Sequence, residues 1–107
     1  DAGQPDEAVR AFQRVLAIGP DSGRLHGDLA SVLWRAGRWN EAVDEYRRAL
    51  VGAPEDPDLR LLLARALAGA GRIEEAASEM ERVLILAPAH SEARALKSAL
   101  FEAEPID

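Results

Sequence analysis

A chain of 107 residues has room for one domain, and with 48% of them hydrophobic it can bury a real but modest core. Its 19 acidic against 13 basic residues give a net charge of −6, which repels phosphate backbones and argues against nucleic acid as a partner. No cysteine is present, so disulfides and thiol chemistry are excluded, and no apolar run reaches the length of a bilayer-spanning helix.

Alanine, leucine, arginine and glutamate dominate, threonine is absent, and asparagine occurs once, at Asn40. These common residues lose little rotamer freedom in a helix, so the composition favours helix over strand. No signal-peptide pattern opens the chain. Its first residues carry no initiator methionine and read as the interior of a longer protein, so any targeting segment would lie outside them. The expectation is a soluble chain, cytoplasmic or periplasmic, with the compartment left open.

In chain order, the first helix is predicted over residues 5–18. Pro5 suits a first helical turn, Asp6 and Glu7 favour the positive helix end, and Pro20 cannot continue it. Ser22 is a candidate N-cap for a helix over 24–36, where Leu25, Leu29, Val32 and Leu33 recur at helical spacing. Gly37 suits the left-handed stop, and Trp39, Ala42, Val43, Tyr46, Ala49 and Leu50 continue as another helix, with Trp39 expected in the core. Pro54 ends that helix and biases Ala53 away from helical geometry. The pattern then recurs: Leu59, Leu63, Ala66 and Leu67, a stop at Gly71, then Ile73, Ala76, Ala77, Met80, Val83 and Leu84. Ser91 is the next candidate N-cap, opening a last helix over 91–103.

The recurrence has one step. Pro20, Pro54 and Pro88 are 34 residues apart, and so are Gly3, Gly37 and Gly71; Glu7, Glu41 and Glu75; Ala8, Ala42 and Ala76; Arg14, Arg48 and Arg82; and Leu16, Leu50 and Leu84. Phe12, Tyr46 and Met80 form a further column of bulky residues. A helix pair of this length cannot bury its apolar face alone and must stack on a neighbour.

The 34-residue step, the paired helices and the alanine–proline phasing resemble the tetratricopeptide repeat. Ala30 and Ala64 hold the small-residue place in the first helix of each full unit, and Ala8, Ala42 and Ala76 hold it in the second. The chain departs from the family pattern at His26, Arg60 and Arg94, where tryptophan is frequent, and at Val15 and Val83, where a third alanine is frequent. Lys97 stands where Leu29 and Leu63 stand in the full units, which suggests a solvated cap or a degenerate unit. The resemblance implies an all-α, right-handed superhelical solenoid of antiparallel helix pairs, with about six helices in one domain. Residues 1–22 hold the second helix of a partial repeat, 23–56 and 57–90 two full repeats, and 91–107 a capping helix and tail.

Catalytic chemistry is not expected. His26 and His90 are the only histidines, with no second ligand at metal-binding spacing, and a structural histidine is the plainer reading of each. Glycines occur singly at helix ends, with no phosphate loop or dinucleotide fingerprint, and the five serines sit in no nucleophile motif. The many carboxylates, Glu41, Asp44, Glu45, Glu74, Glu75, Glu79 and Glu81, lie near arginines, several of them at spacings of three or four residues, and read as exposed ion pairs. No cofactor or metal is implied, and the chain by itself is read as a non-enzyme.

The resemblance further implies that the first helix of each pair lines a concave groove where peptides or protein segments lie. Beside the buried stripe, the helix at 24–36 carries Arg24, Gly27, Asp28, Ser31, Trp34 and Arg35. The helix at 58–70 carries Asp58, Leu61, Leu62, Arg65, Ala68 and Gly69, and the last helix adds Ala95, Ala99 and Glu102. The candidate partner-binding residues are Arg24, Asp28, Ser31, Trp34, Arg35, Leu61, Leu62 and Arg65. Trp34 is either a binding anchor or a cover for the neighbouring pair. Arg24, Arg35 and Arg65 either form a positive patch for a segment with carboxylates and an apolar anchor, or pair with Asp28 and Asp58. One subgroup of the family grips chaperone tails with lysines and asparagines on this face. Asp28, Ser31, Leu62 and Arg65 stand in that region here, which disfavours that reading.

The leading expectation is a protein-binding module within a larger multi-repeat protein, whose arginine- and alanine-rich composition suggests a bacterial source. Two alternatives stand beside it. One is self-association through the first helix, whose Val9, Phe12 and Leu16 are expected to lack an N-terminal neighbour. The other is a regulatory or substrate-recruiting arm of an enzyme domain outside these residues.

Overall fold

The computed structural model describes residues 3–19 and 22–102, and among these the side chains other than those of 3–5, 18, 101 and 102. The helix stop expected at Pro20, the groove position Glu102 and the end of the last helix at 103 therefore fall outside the described residues or side chains. Six α-helices are described: α1 (Gly3–Ile18), α2 (Gly23–Arg35), α3 (Trp39–Gly52), α4 (Pro57–Gly69), α5 (Ile73–Leu86) and α6 (Ser91–Lys97). The sixth widens into a π-turn over Ser98–Glu102, and no strand occurs among the described residues.

Local signals set the helix ends. Ser22 caps α2 as expected, its hydroxyl accepting the Leu25 N–H at 3.4 Å. Asp56 caps α4 by accepting the N–H groups of Asp58 and Leu59 at 3.0 and 3.1 Å, with Pro57 in the first turn. The cap of α6 is His90 rather than Ser91. His90 holds extended backbone, and its Nδ1 accepts the Ala93 N–H at 3.2 Å. Since a backbone N–H can only donate, Nδ1 carries no proton. Nε2 therefore carries it and donates to Asp58 Oδ1 at 2.7 Å. Ser22, Asp56 and His90 are themselves 34 residues apart. At the other ends, Gly37 and Gly71 take φ of 79° and 81°, the left-handed conformation that stops α2 and α4. The following N–H groups turn back, Arg38 to the Leu33 carbonyl at 2.9 Å and Arg72 to that of Leu67 at 2.8 Å.

Each helix packs on the next in sequence, which gives an open stack 52 Å long and 19 Å across its thinnest dimension. Ala30, Ala42, Ala64 and Ala76 are fully buried at the helix contacts. Leu29, Leu33, Val43, Tyr46, Leu63, Leu67 and Met80 fill the core around them. A second, smaller cluster joins Leu61, Val83 and Ala93 where α6 docks. Lys97 is exposed, whereas Leu29 and Leu63 at the matching places are buried, so α6 leaves bare the face that α2 and α4 cover.

Two expectations about packing are corrected. Trp39 is 40% exposed rather than core. As the first residue of α3 it lies over Gly69 at the end of α4, where an added Cβ would meet the indole ring at 3.1 Å. Val9, Phe12 and Leu16 do not form an unpartnered face, because Val9 is buried and the other two pack against the main cluster. The 34-residue step places Ala11 and Val15 where Glu45 and Ala49 of α3 meet α2, and Val15 is 48% exposed.

Polar contacts repeat with the same step. Arg38 grips Glu41 through two bonds of 2.7 Å and reaches back to Asp6 at 3.0 Å. Arg72 grips Glu75 at 2.8 and 2.9 Å and reaches back to Asn40 at 3.0 Å. Closer to the core, His26 meets Glu45 at 2.6 Å and Arg60 meets Glu79 at 2.7 Å, both pairs joining the two helices of a repeat.

The hydrogen bonds from Arg38 hold the Glu41 carboxyl below its ordinary 4.5, and those from Arg72 and then Arg47 do the same for Glu75. A depressed carboxyl contributes stability that is present above the ordinary value and is lost as pH falls through the lower, folded one. In an NMR titration, Glu41 and Glu75 should show midpoints below 4.5, and Arg38→Gln and Arg72→Gln should each move the paired glutamate back toward it. Ala42→Leu should destabilise the chain by about 1–3 kcal/mol in urea unfolding, through overpacking of the contact between α2 and α3. A wild-type unfolding midpoint would disprove that packing.

Candidate protein-interaction groove

A groove of about 480 Å³ runs between α2 and the start of α4, floored by the end of α3. On α2, Gly23, Gly27 and Ser31 follow one another at single-turn spacing along it, with Arg24 and Asp28 beside them. Ala49, Gly52 and Ala53 form the floor, Leu59 and Leu62 the opposite wall, and Asp56 lies between. Small residues on α2 and α3 leave this space empty. In the same stretch, α2 stays close to α3, and a Cβ on Gly23 would sit 3.2 Å from the Ala49 carbonyl.

Tyr46 contributes from below. It is 1% exposed, and its hydroxyl meets the Ser31 hydroxyl at 3.0 Å. Burial pushes the phenol above its ordinary 10.0, while the Ser31 hydrogen bond and the charges of Arg35 and Arg65 pull the other way. The two arginines are thus electrostatically coupled to the tyrosine under the groove, although Arg35 is on α2 and Arg65 on α4.

Of the residues singled out in the sequence, Arg24, Asp28, Ser31 and Leu62 line the groove. Arg35 and Trp34 lie one turn beyond Ser31 on α2, exposed, with Trp34 at 37%. Arg65 is half-buried and pairs with Glu92 of α6 at 3.2 Å. Asp58, considered as an arginine partner, is taken by His90. Leu61 is corrected: at 3% exposure it packs against Val83 and Ala93 and offers no surface. The reason is α6, which covers that side of α4. Tyr46, Ala49, Gly52, Ala53, Asp56 and Leu59 also line the groove and were missed. A column-by-column comparison of the two full repeats would have flagged Gly27, Ala49 and Gly52 as smaller than Leu61, Val83 and Leu86. No group of three histidine, aspartate or glutamate side chains among the described residues could hold a metal ion. No described helix is long and apolar enough to cross a membrane.

Residues 33–100 match one model described as tetratricopeptide repeat, and residues 1–57 match a second. The chain belongs to the tetratricopeptide repeat family. Solved structures agree on the fold. A crystal structure of MamA superposes with a TM-score of 0.83 at 18% identity, covering 94% of this chain and 58% of that one. The chain therefore spans a little over half the length of the MamA protein it resembles. The first tetratricopeptide domain of Spaghetti (RPAP3), bound to the HSP90 peptide SRMEEVD, gives 0.81 at 24% identity, covering 94% of this chain and 80% of that domain. The second such domain of human RPAP3, in complex with the HSP70 peptide SGPTIEEVD, gives 0.80 at 20% identity, with 92% and 82% covered. No curated protein sequence matches the chain.

In this tetratricopeptide array the one tyrosine reports directly on the groove. Its ultraviolet titration should have a midpoint above 10.0, and Arg35→Gln should raise it further by removing a charge that favours the phenolate. A raised acid loses its contribution at the alkaline end. The stability it confers is complete below the ordinary value and declines as pH rises through the folded one. A midpoint at or below 10.0 would show that burial does not outweigh Ser31 and the two arginines.

Proposed function

We propose that this chain is a protein-interaction module that holds a peptide or protein segment in the groove between α2 and α4. The observation that carries the reading is the groove itself. It is open, about 480 Å³ in volume, and combines an apolar floor and wall with Arg24, Asp28 and Ser31 along one edge. Ligand sites have this composition, a largely apolar surface with a few placed polar groups. Membership of the repeat family supports the reading, as do the two RPAP3 domains of the same fold solved with short peptides. Arg35 adds positive charge beyond Ser31, next to the Arg65–Glu92 pair, which suits a segment carrying a carboxylate next to an apolar side chain. Trp34, exposed on the same face, extends the contact surface past the groove's end.

The repeats themselves supply variants that the fold tolerates. Position 31 corresponds to Arg65, and position 34 to Ala68. Trp34→Ala should therefore leave the melting temperature within a few degrees of wild type, and Ser31→Arg should leave the chain folded while giving up the hydroxyl bond to Tyr46. Peptides selected by panning a random dodecapeptide library on the intact chain should lose affinity about ten-fold or more on either change. Val51→Arg, at an 83% exposed position that does not line the groove, should bind them as wild type does. Selected peptides indifferent to Ser31→Arg would place the interaction elsewhere, and an empty selection would refute it.

A further inference from the structure

The two full repeats build the same scaffold but do not fill it equally. In the second repeat, Leu61 of α4, Val83 of α5 and Ala93 of α6 meet as a closed apolar cluster, exposed by 3%, 0% and 0%. The residues one step of 34 earlier are Gly27, Ala49 and Leu59, and all three line the open groove. Each set holds one leucine and one alanine, though at different positions. What is left over is glycine at one repeat against valine at the other, so the first repeat is short of apolar volume. Gly23 and Gly52, which also line the groove, extend the deficit, because their counterparts are Pro57 and Leu86.

The space is open at the point where Leu61's counterpart would enter it. A Cβ placed on Gly27 touches only the Ala49 Cβ, at an ordinary 4.0 Å, and one placed on Gly52 touches nothing. The geometry points to a socket at Gly27 that accepts one leucine-sized aliphatic side chain from a bound segment, seated as Leu61 is seated in the next repeat. The occupant's chemistry is supplied by the chain itself, since its own second repeat fills the equivalent space with leucine against Val83. Polar groups frame the socket. Arg24 and Asp28 stand on the α2 edge, and the Ser31 and Tyr46 hydroxyls lie one turn further on. They leave the segment's flanking residues polar and confine the apolar contact to a single side chain. This inference rests on the groove reading proposed above and adds the identity of the anchor.

The experiment uses the intact chain and the same dodecapeptide selection. Enriched peptides should share one leucine, isoleucine or methionine, and replacing it with alanine should weaken binding to the wild-type chain about 10–100-fold. Gly27→Leu should plug the socket from within, recreate the packing of Leu61 and abolish binding of those peptides. Its melting temperature should be equal to or above wild type, because glycine is a poor helix former and the new side chain finds a site. The alanine scan reads the wild-type protein, so it decides the matter even if Gly27→Leu folds poorly. Peptides that lose affinity with Ser31→Arg yet show no apolar position sensitive to alanine, or that bind a folded Gly27→Leu unchanged, would overturn the socket and leave the groove standing. Peptides indifferent to Ser31→Arg, or none at all, would overturn both.

Discussion

Helix backbones can approach closely only where side chains are small, and here that condition is met at a constant interval. Ala30 and Ala42 are fully buried where α2 meets α3, and Ala64 and Ala76 where α4 meets α5. Larger residues, Leu29, Tyr46, Leu63 and Met80, then close around each contact. Because the small places recur every 34 residues, each helix pair meets the next in the same way. A chain built by one repeated contact grows along a line instead of closing on a single centre. Its long, thin form follows.

The polar contacts obey the same interval. The turn arginines, Arg38 and Arg72, each bind the glutamate three residues on and a side chain one repeat back. Exposed pairs of this kind contribute little energy each. Their geometry is nevertheless specific, because each fork joins two repeats at a defined distance. His90 does similar work at the far end, capping α6 with one ring nitrogen and tying it to Asp58 of α4 with the other. Electrostatics thus reinforces a stacking that apolar burial has already set.

The open groove arises where the repetition fails. What the two repeats share is scaffold, and what they do not share is the filling of the space between neighbouring first helices. Leu61 closes that space in one repeat, while Gly27 leaves it open in the other. Beneath the opening, the Tyr46 phenol is held by burial and by Ser31, with Arg35 and Arg65 near enough to influence it. The groove is therefore an apolar vacancy with charged side chains along its edges.

The fold was legible in the amino-acid sequence because it depends on periodicity, and periodicity is a property of the chain alone. The interval, the helix pairs, the left-handed stops at Gly37 and Gly71 and the Ser22 cap could all be read from residue types and spacing. Part of the candidate surface was legible for the same reason: Arg24, Asp28, Ser31 and Leu62, four of the eight candidates, follow from helical phase. Tertiary structure alone decided the rest. Leu61 and Leu62 are adjacent and chemically identical, yet only the first is buried, against Val83 of α5 and Ala93 of α6. Trp39 lies exposed because Gly69, thirty residues away, gives its ring a flat place to rest. His90 caps a helix because its backbone, and not that of Ser91, is extended. Exposure, capping and open volume are set by what packs alongside a residue, and a neighbour distant in the chain leaves no local mark on the sequence.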